Sequence, residues 1–291
     1  VNEIMKEKIK VTIGQIGSFD IEESEKYDCS NGLSYKQPLT MWEKIRKTVE
    51  VAKQDKADFL VLPEITVPKQ YLKTHIPAIC NEHNLMIIGG VEFYHKYTTN
   101  NKKFIQNEAF IAVPGAEKSS GIRERAMVWR TPKVYPAQSE EDTIKKTGYH
   151  FSPGNKLYLF KSKEFGNWAV LICVDYLNLP IHQILQKRIQ TLFVVAFNPD
   201  INYYYSISDS LHRILYCNII VCNVADYGGS HVYTPYRKVF LREVMKLHGN
   251  KVETAVTVTL PLRIIKEIQM SPRNKEFEEF IKKPSDYEYI K

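Results

Sequence analysis

The sequence predicts a layered α/β domain, and three observations predict it. Short apolar, β-branched runs recur between turn residues, as buried strands do. Between several of them lie stretches with a helical apolar face. Strands also follow one another directly in places, so the pattern is α/β layers rather than a purely doubly wound sheet. The chain has 291 residues, 44% of them hydrophobic, which is enough for a large core.

The elements follow in order. Ile9 to Ile16 alternates and reads as a strand, and residues 20–37 are charged and turn-rich, a surface loop. A helix is expected from Pro38-Leu39-Thr40, with Thr40 as N-cap and Glu43 completing a capping box. Met41, Ile45, Val49 and Ala52 give it one apolar face. Asp58 to Leu62 is a short buried strand stopped by Pro63-Glu64, Ile76 to His83 is helical, and Leu85 to Val91 is a strand carrying Gly89-Gly90.

Asn107 to Val113 and Ala126 to Trp129 are strand-like, and Lys133 follows in a loop between Pro132 and Pro136. Gln138 to Gly154 is polar and reads as irregular. Strands are expected at Leu157 to Phe160, Trp168 to Cys173, Leu192 to Phe197, Ile219 to Val224 and Val252 to Leu260, and helices at Ile181 to Ile189 and Ser208 to Cys217. The division expected is a domain over 1–262 and a charged arm over 263–291 that packs on a partner.

The net charge of +7, from 40 basic and 33 acidic residues, is mild for this length. Basic residues are denser between Arg123 and Lys133, but no aromatic–glycine motif accompanies them, so a nucleic-acid partner is not expected. Five cysteines without a Cys-x-x-Cys pair argue against a disulfide framework or a cysteine metal site and favour a reducing, cytoplasmic compartment. No apolar run has the length of a membrane span. The first residues, Val1-Asn2-Glu3-Ile4, match no signal peptide and lack a Met, which fits a processed chain or a module of something longer.

Three residues carry the chemistry. Glu64 ends Phe59-Leu60-Val61-Leu62-Pro63-Glu64, Lys133 sits in Thr131-Pro132-Lys133-Val134, and Cys173 ends Trp168-Ala169-Val170-Leu171-Ile172-Cys173. Two of them stand where a buried strand runs out, the place where an open α/β sheet presents groups to a ligand. A thiol, a carboxylate and an ammonium brought together make a nucleophile, a general base and an oxyanion partner. Taken singly, each has a plainer reading: a core cysteine, a strand-end glutamate paired with a surface lysine, and one of many lysines.

In these stretches, together with Phe151-Ser152-Pro153-Gly154 and Leu171-Ile172-Cys173-Val174-Asp175, the chain resembles the nitrilase superfamily of carbon–nitrogen hydrolases. Ile87-Ile88-Gly89-Gly90-Val91-Glu92 and Val194-Val195-Ala196-Phe197-Asn198 add support. The resemblance spans about residues 8 to 260 and implies a four-layer α-β-β-α sandwich, a homodimer, and a Glu64-Lys133-Cys173 triad that works without metal or organic cofactor. It implies that the backbone N–H of Val174 helps to hold an oxyanion and that Asp175 braces the turn beyond the nucleophile. Phe197 and Asn198 are candidates for lining the pocket, and Tyr203, in the Tyr203-Tyr204-Tyr205 run expected in the loop beyond, for shaping its rim or, equally, for a dimer or surface face. Selectivity is expected from the loops 92–104, 138–150 and 199–206.

Two positions depart from the family pattern. A second glutamate is implied six residues before Pro153, where Thr147 stands, with Glu140 and Glu141 upstream as substitutes. A Glu-Asn pair is implied on a later helix, where Cys217-Asn218 stands, preceded by Arg213. Val174-Asp175 replaces the Trp-Glu of members that act on nitriles, so a small amide-type substrate is the expectation. Two alternatives stay open. One is a weak or inactive nitrilase-like interaction module cut from a larger protein, such as a reverse-transcriptase fusion in phage defence. The other is an N-acyltransferase using the same thioester.

Overall fold

The computed structural model describes residues 5–17, 27–28, 34–119, 121, 123–272, 275–284 and 287–290. Most of the loop expected over 20–37, and Cys29 within it, lies outside them. The first part of the chain forms β1 (Lys8–Gln15), β2 (Tyr27–Asp28), β3 (Ser34–Tyr35), α1 (Pro38–Gln54), β4 (Phe59–Val61), α2 (Lys69–Leu72), α3 (His75–Glu82), β5 (Met86–Thr99), β6 (Lys102–Val113) and β7 (Met127–Pro132). Then come α4 (Gln138–Lys146), β8 (Tyr149–Phe151), β9 (Phe160–Ser162), β10 (Gly166–Ile172), a 3-10 turn (Cys173–Leu177), α5 (Leu179–Leu185), β11 (Thr191–Ala196) and α6 (Ile201–Leu211). A π-turn (His212–Tyr216) leads into β12 (Asn218–Asn223), β13 (Ser230–Tyr233), α7 (Val239–Arg242), β14 (Glu243–Leu247), β15 (Thr254–Pro261) and α8 (Arg263–Met270).

Two large sheets stand face to face. One has the order β15-β1-β4-β5-β6-β7, with β8 added on β6; the other has the order β14-β13-β12-β11-β10-β9. Their centres are parallel, β1-β4-β5 in the first and β10-β11-β12 in the second. Parallel strands need both faces covered, and the side chains alternate accordingly. Val11, Ile13, Phe59, Val61 and Ile88 meet Val170, Ile172, Phe193 and Val195 between the sheets. Leu60, Leu62 and Ile87 lie under Met41, Ile45 and Ile76 of α1 and α3. Leu171, Val194 and Ile219 lie under Ile181 and Leu185 of α5 and Leu211 of α6. The strands thus alternate between two cores, and the order helix, sheet, sheet, helix is the four-layer sandwich.

Several local expectations need correction. Helix α1 begins at Pro38, two residues before Thr40, and its N-cap Gln37 makes no side-chain cap. Proline at the first helical position supplies the start, because its fixed φ suits the helix and no N–H is wasted. The stretch 138–154 is not irregular; it holds α4 and β8. Helix α4 buries only Ile144, so it shows no apolar stripe, but Glu140 and Glu141 in its first turn and Lys145 and Lys146 in its last oppose the helix dipole. The expected helix at Ser208 starts at Ile201, so Tyr203-Tyr204-Tyr205 is helical and not in a loop. Residues 92–104 are mostly the β5–β6 hairpin. Asn218 opens β12 and is on no helix; its amide donates to the carbonyl of Pro261. Strands β13 and β14 were not legible in the sequence. Beyond residue 262, α8 buries Ile265 and Ile268 in a small core with Tyr216, Phe280 and Tyr287 of the same chain.

Candidate active site

Glu64 enters the site from the end of β4 through a turn that only a close backbone approach allows. The Gly90 N–H donates to the carbonyl of Pro63 (2.9 Å), and the Val67 N–H donates to the carbonyl of Gly90 (2.9 Å). A Cβ on Gly90 would stand 2.4 Å from the Glu64 Cα and 2.3 Å from the Ile65 nitrogen. The Glu64 N–H reaches across to the Ala196 carbonyl at the end of β11, so the strand ends of both sheets meet here. Gly90→Ala is therefore expected to displace the Glu64 turn and to destabilise the fold by about 1–3 kcal/mol. Urea denaturation measures this, and an unchanged midpoint would contradict it.

Lys133 follows β7 and is 2% exposed, a burial that a lysine tolerates only when paired. Its loop is tied on three sides. The Lys133 N–H donates to the Asn107 carbonyl (2.8 Å), and the Gly154 N–H donates to the Lys133 carbonyl (2.7 Å). Asp175 accepts from the N–H groups of Val134 (3.0 Å) and Tyr135 (2.8 Å). Asp175 thus braces the lysine loop against the turn after Cys173, and not that turn alone. Burial raises its carboxyl to about 6, against the pull of those two N–H groups.

The lysine ammonium donates to Glu64 Oε1 (2.8 Å) and to Glu140 Oε2 (2.6 Å). The Asn107 amide nitrogen joins the same two carboxylates, at 2.7 Å from Glu64 Oε1 and 2.5 Å from Glu140 Oε1. Glu140, one of the two upstream substitutes considered for the glutamate implied at position 147, makes the contact with Lys133. The Thr147 hydroxyl donates instead to the Ile144 carbonyl at the end of α4. The signal for Glu140 was its place in the first turn of a helix just beyond the proline-bounded lysine loop. Asn107 gave no signal beyond being an amide at the head of an apolar run.

Cys173 opens the 3-10 turn just past β10 at φ 47°, the left-handed region that non-glycine residues enter under strain. Its sulfur accepts a hydrogen bond from the Tyr204 hydroxyl (3.5 Å) and lies 3.9 Å from the Phe197 carbonyl. Burial pushes the thiol up to about 12; the charge of Glu64 adds to this and that of Lys133 opposes it. Burial also raises Glu64, and Lys133 only partly offsets the rise. Burial by itself would lower Lys133, but Glu64, Cys173 and Glu140 outweigh it and hold the ammonium protonated.

Glu64, Lys133, Asn107 and Glu140 are thus hydrogen-bonded to one another, Asp175 holds the lysine loop, and Cys173, beside Tyr204 and the Phe197 carbonyl, lies near enough for the charges of Glu64 and Lys133 to act on it. The structure does not bring in Tyr203, which is 47% exposed. Asn198 uses its side chain on Asp200, donating to its carbonyl (3.0 Å) and accepting from its N–H (3.2 Å). Val174 sits in the first turn of a 3-10 helix, where N–H groups lack an acceptor within the helix. A cavity of about 620 Å³ lies elsewhere, lined by Asp58, Trp129, Phe160 and Trp168. It contains none of the cluster, and the reactive groups locate the site better than volume does. Among the described residues no group of three His, Cys, Asp or Glu side chains is placed to hold a metal ion. Nor is any helix among them long and apolar enough to cross a membrane.

No protein-family model and no curated protein matches the sequence. Solved structures do share the fold. A CN-hydrolase superfamily protein from Xanthomonas campestris, with an arsenic adduct in its active site, aligns at a TM-score of 0.60 and 12% identity over 91% of this chain and 94% of its own. An amidase from Nesterenkonia sp. aligns at 0.59 and 12% identity over 91% and 95%. A glutamate-to-glutamine variant of that amidase, with acrylamide joined by Michael addition to its active-site cysteine, aligns at 0.58 and 12% identity over 89% and 96%. The chain has the fold of these CN-hydrolase proteins.

Proposed function

We propose that this protein is a carbon–nitrogen hydrolase of the nitrilase superfamily that cleaves an amide-type bond through a cysteine thioester. The observation that carries the reading is a buried lysine clamped between two carboxylates, close enough to the Cys173 thiol for its charge to bear on it. Burying two carboxylates and an ammonium is unfavourable in a purely structural role. The placement of Glu64 and Lys133 just past strand ends, with Glu140 in the first turn of α4 beside them, argues for chemistry.

Glu64 takes the thiol proton as the sulfur attacks the carbonyl carbon. The new S–C bond forms while the carbonyl π pair moves onto oxygen. Lys133 and the Val174 N–H stabilise that oxyanion. Collapse of the intermediate breaks the C–N bond, and Glu64 returns the proton to the leaving amine. Water, deprotonated by Glu64, then cleaves the thioester and restores the thiol. A thiol pushed up to about 12 is protonated at rest, so the base beside it is part of the nucleophile. Glu140 and Asn107 hold Lys133 and Glu64 in register throughout. The reading of an inactive module rested on the missing Met, the basic excess and the absent second glutamate, and Glu140 on Lys133 speaks against the last of these.

Acrylamide, the probe seen on the Nesterenkonia cysteine, tests the proposal. Peptide mapping after brief exposure is expected to find Cys173 modified well before Cys80, Cys217 and Cys222. Cys173→Ala is expected to lose hydrolysis of short aliphatic amides while keeping its circular dichroism. Full hydrolysis by that variant would end the proposal.

A further inference from the structure

We infer that Tyr204 is a further catalytic residue, a fixed hydroxyl donor to the attacking sulfur. The inference rests on Cys173 being the nucleophile. Tyr204 lies on α6 and is 4% exposed, and its hydroxyl donates to Cys173 Sγ at 3.5 Å. That contact is the hydroxyl's one hydrogen bond among the described residues. Burial, with the nearby Cys173 sulfur adding to it, raises the phenol, so the group remains a donor at every working pH.

The helix that carries Tyr204 is pinned to the nucleophile turn. One helical turn further along, the Ser208 hydroxyl bonds to the Tyr176 hydroxyl (2.7 Å) and to His231 Nε2 (2.7 Å). The other ring nitrogen of His231 lies 2.8 Å from the Gly229 carbonyl and must donate to it. His231 Nε2 is therefore the acceptor, Ser208 donates to it, and Tyr176 donates to Ser208. Tyr176 belongs to the same 3-10 turn as Cys173, and its ring packs on Tyr204 with centroids 5.6 Å apart. Tyr204 and Ser208 thus hold one face of α6 against that turn, and the donor needs no rearrangement when the sulfur becomes anionic.

A hydroxyl donated to sulfur is worth more to a thiolate than to a thiol, because the acceptor becomes charged. The bond grows as Glu64 removes the thiol proton and weakens when the sulfur becomes a thioester. Tyr204 keeps its own proton throughout. It lowers the barrier to attack without favouring the acylated state.

The protein and its Tyr204→Phe variant would be treated with iodoacetamide between pH 7 and 9, with Cys173 alkylation followed by mass spectrometry. Loss of the donor is expected to reduce the thiolate character about tenfold. Greater nucleophilicity of the more basic sulfur returns part of that, leaving alkylation about three- to fourfold slower. A difluorotyrosine placed at 204 keeps the shape and strengthens the donor, so it is expected to speed alkylation; a packing role would be indifferent to fluorine. A Tyr204→Phe protein alkylated at the parent rate overturns the inference alone. If that variant fails to fold, the fluorinated protein decides, and no gain in rate overturns it. If Cys173 in the parent is no more reactive than Cys80, the hydrolase reading falls and this inference with it.

Discussion

Lys133→Met is expected to cut turnover by on the order of 10²- to 10³-fold and to destabilise the fold by about 3–5 kcal/mol. Two effects combine. The oxyanion loses a charged donor, and removal of one such donor costs on the order of 10²- to 10³-fold in rate. Glu64 and Glu140, both held on the ammonium at hydrogen-bonding distance, would face each other in a buried site with only the Asn107 amide between them. Two carboxylates so placed cannot both ionise, so one retains a proton well above the ordinary range. The sign of the pH dependence follows. The folded variant binds more protons than the unfolded chain at neutral pH, so its stability rises as pH falls. Urea titrations at several pH values test this, and Lys133→Met with Glu140→Gln is expected to recover part of the loss. A variant as stable as the parent at neutral pH would refute the clamp.

Glu64→Gln is the complementary experiment, with a large loss of rate and a small change in stability. Without its proton acceptor the thiol must ionise unaided, and general-base assistance is worth roughly 10²- to 10⁴-fold. The glutamine oxygen can still accept from Lys133 and Asn107, and Glu140 still pairs with the ammonium. Burial raises Glu64 above the usual carboxylate range, so the parent is expected to lose activity on the acid side as that carboxylate protonates. The same shift means that ionising Glu64 costs stability as pH rises from its unfolded pKa through its folded one. Glu64→Gln removes both dependences. An acid limb that persists unchanged in the residual activity of this variant would assign the limb to another group, with Asp175, raised to about 6, the first candidate.

Cys173, Glu64 and Lys133 were legible as candidates because each is announced by its neighbours. Pro63 stops β4 before Glu64, prolines bound the Lys133 loop, and an apolar strand delivers Cys173. Glu140 could not be told from Glu141 because its helix buries a single residue and shows no apolar period. Counting back from Pro153 reached Thr147, at the far end of that helix. Tyr203 was chosen over Tyr204 because the triplet was read as loop. In a helix, adjacent residues point about 100° apart, so one tyrosine meets solvent and the next meets sulfur.

What the sequence by itself determined is local: strands with apolar side chains on both faces, the turn residues that end them, and the residue types able to do acyl-transfer chemistry. Those properties depend on a few consecutive residues and on periods of two and 3.6. The tertiary structure alone decided which groups lie near one another. Residues 64, 107, 133, 140, 173 and 204 come from six separate elements or turns, and their meeting depends on how two sheets and their helices stack. Packing fixes that register through many weak contacts spread over the whole chain, and no short stretch of sequence carries it.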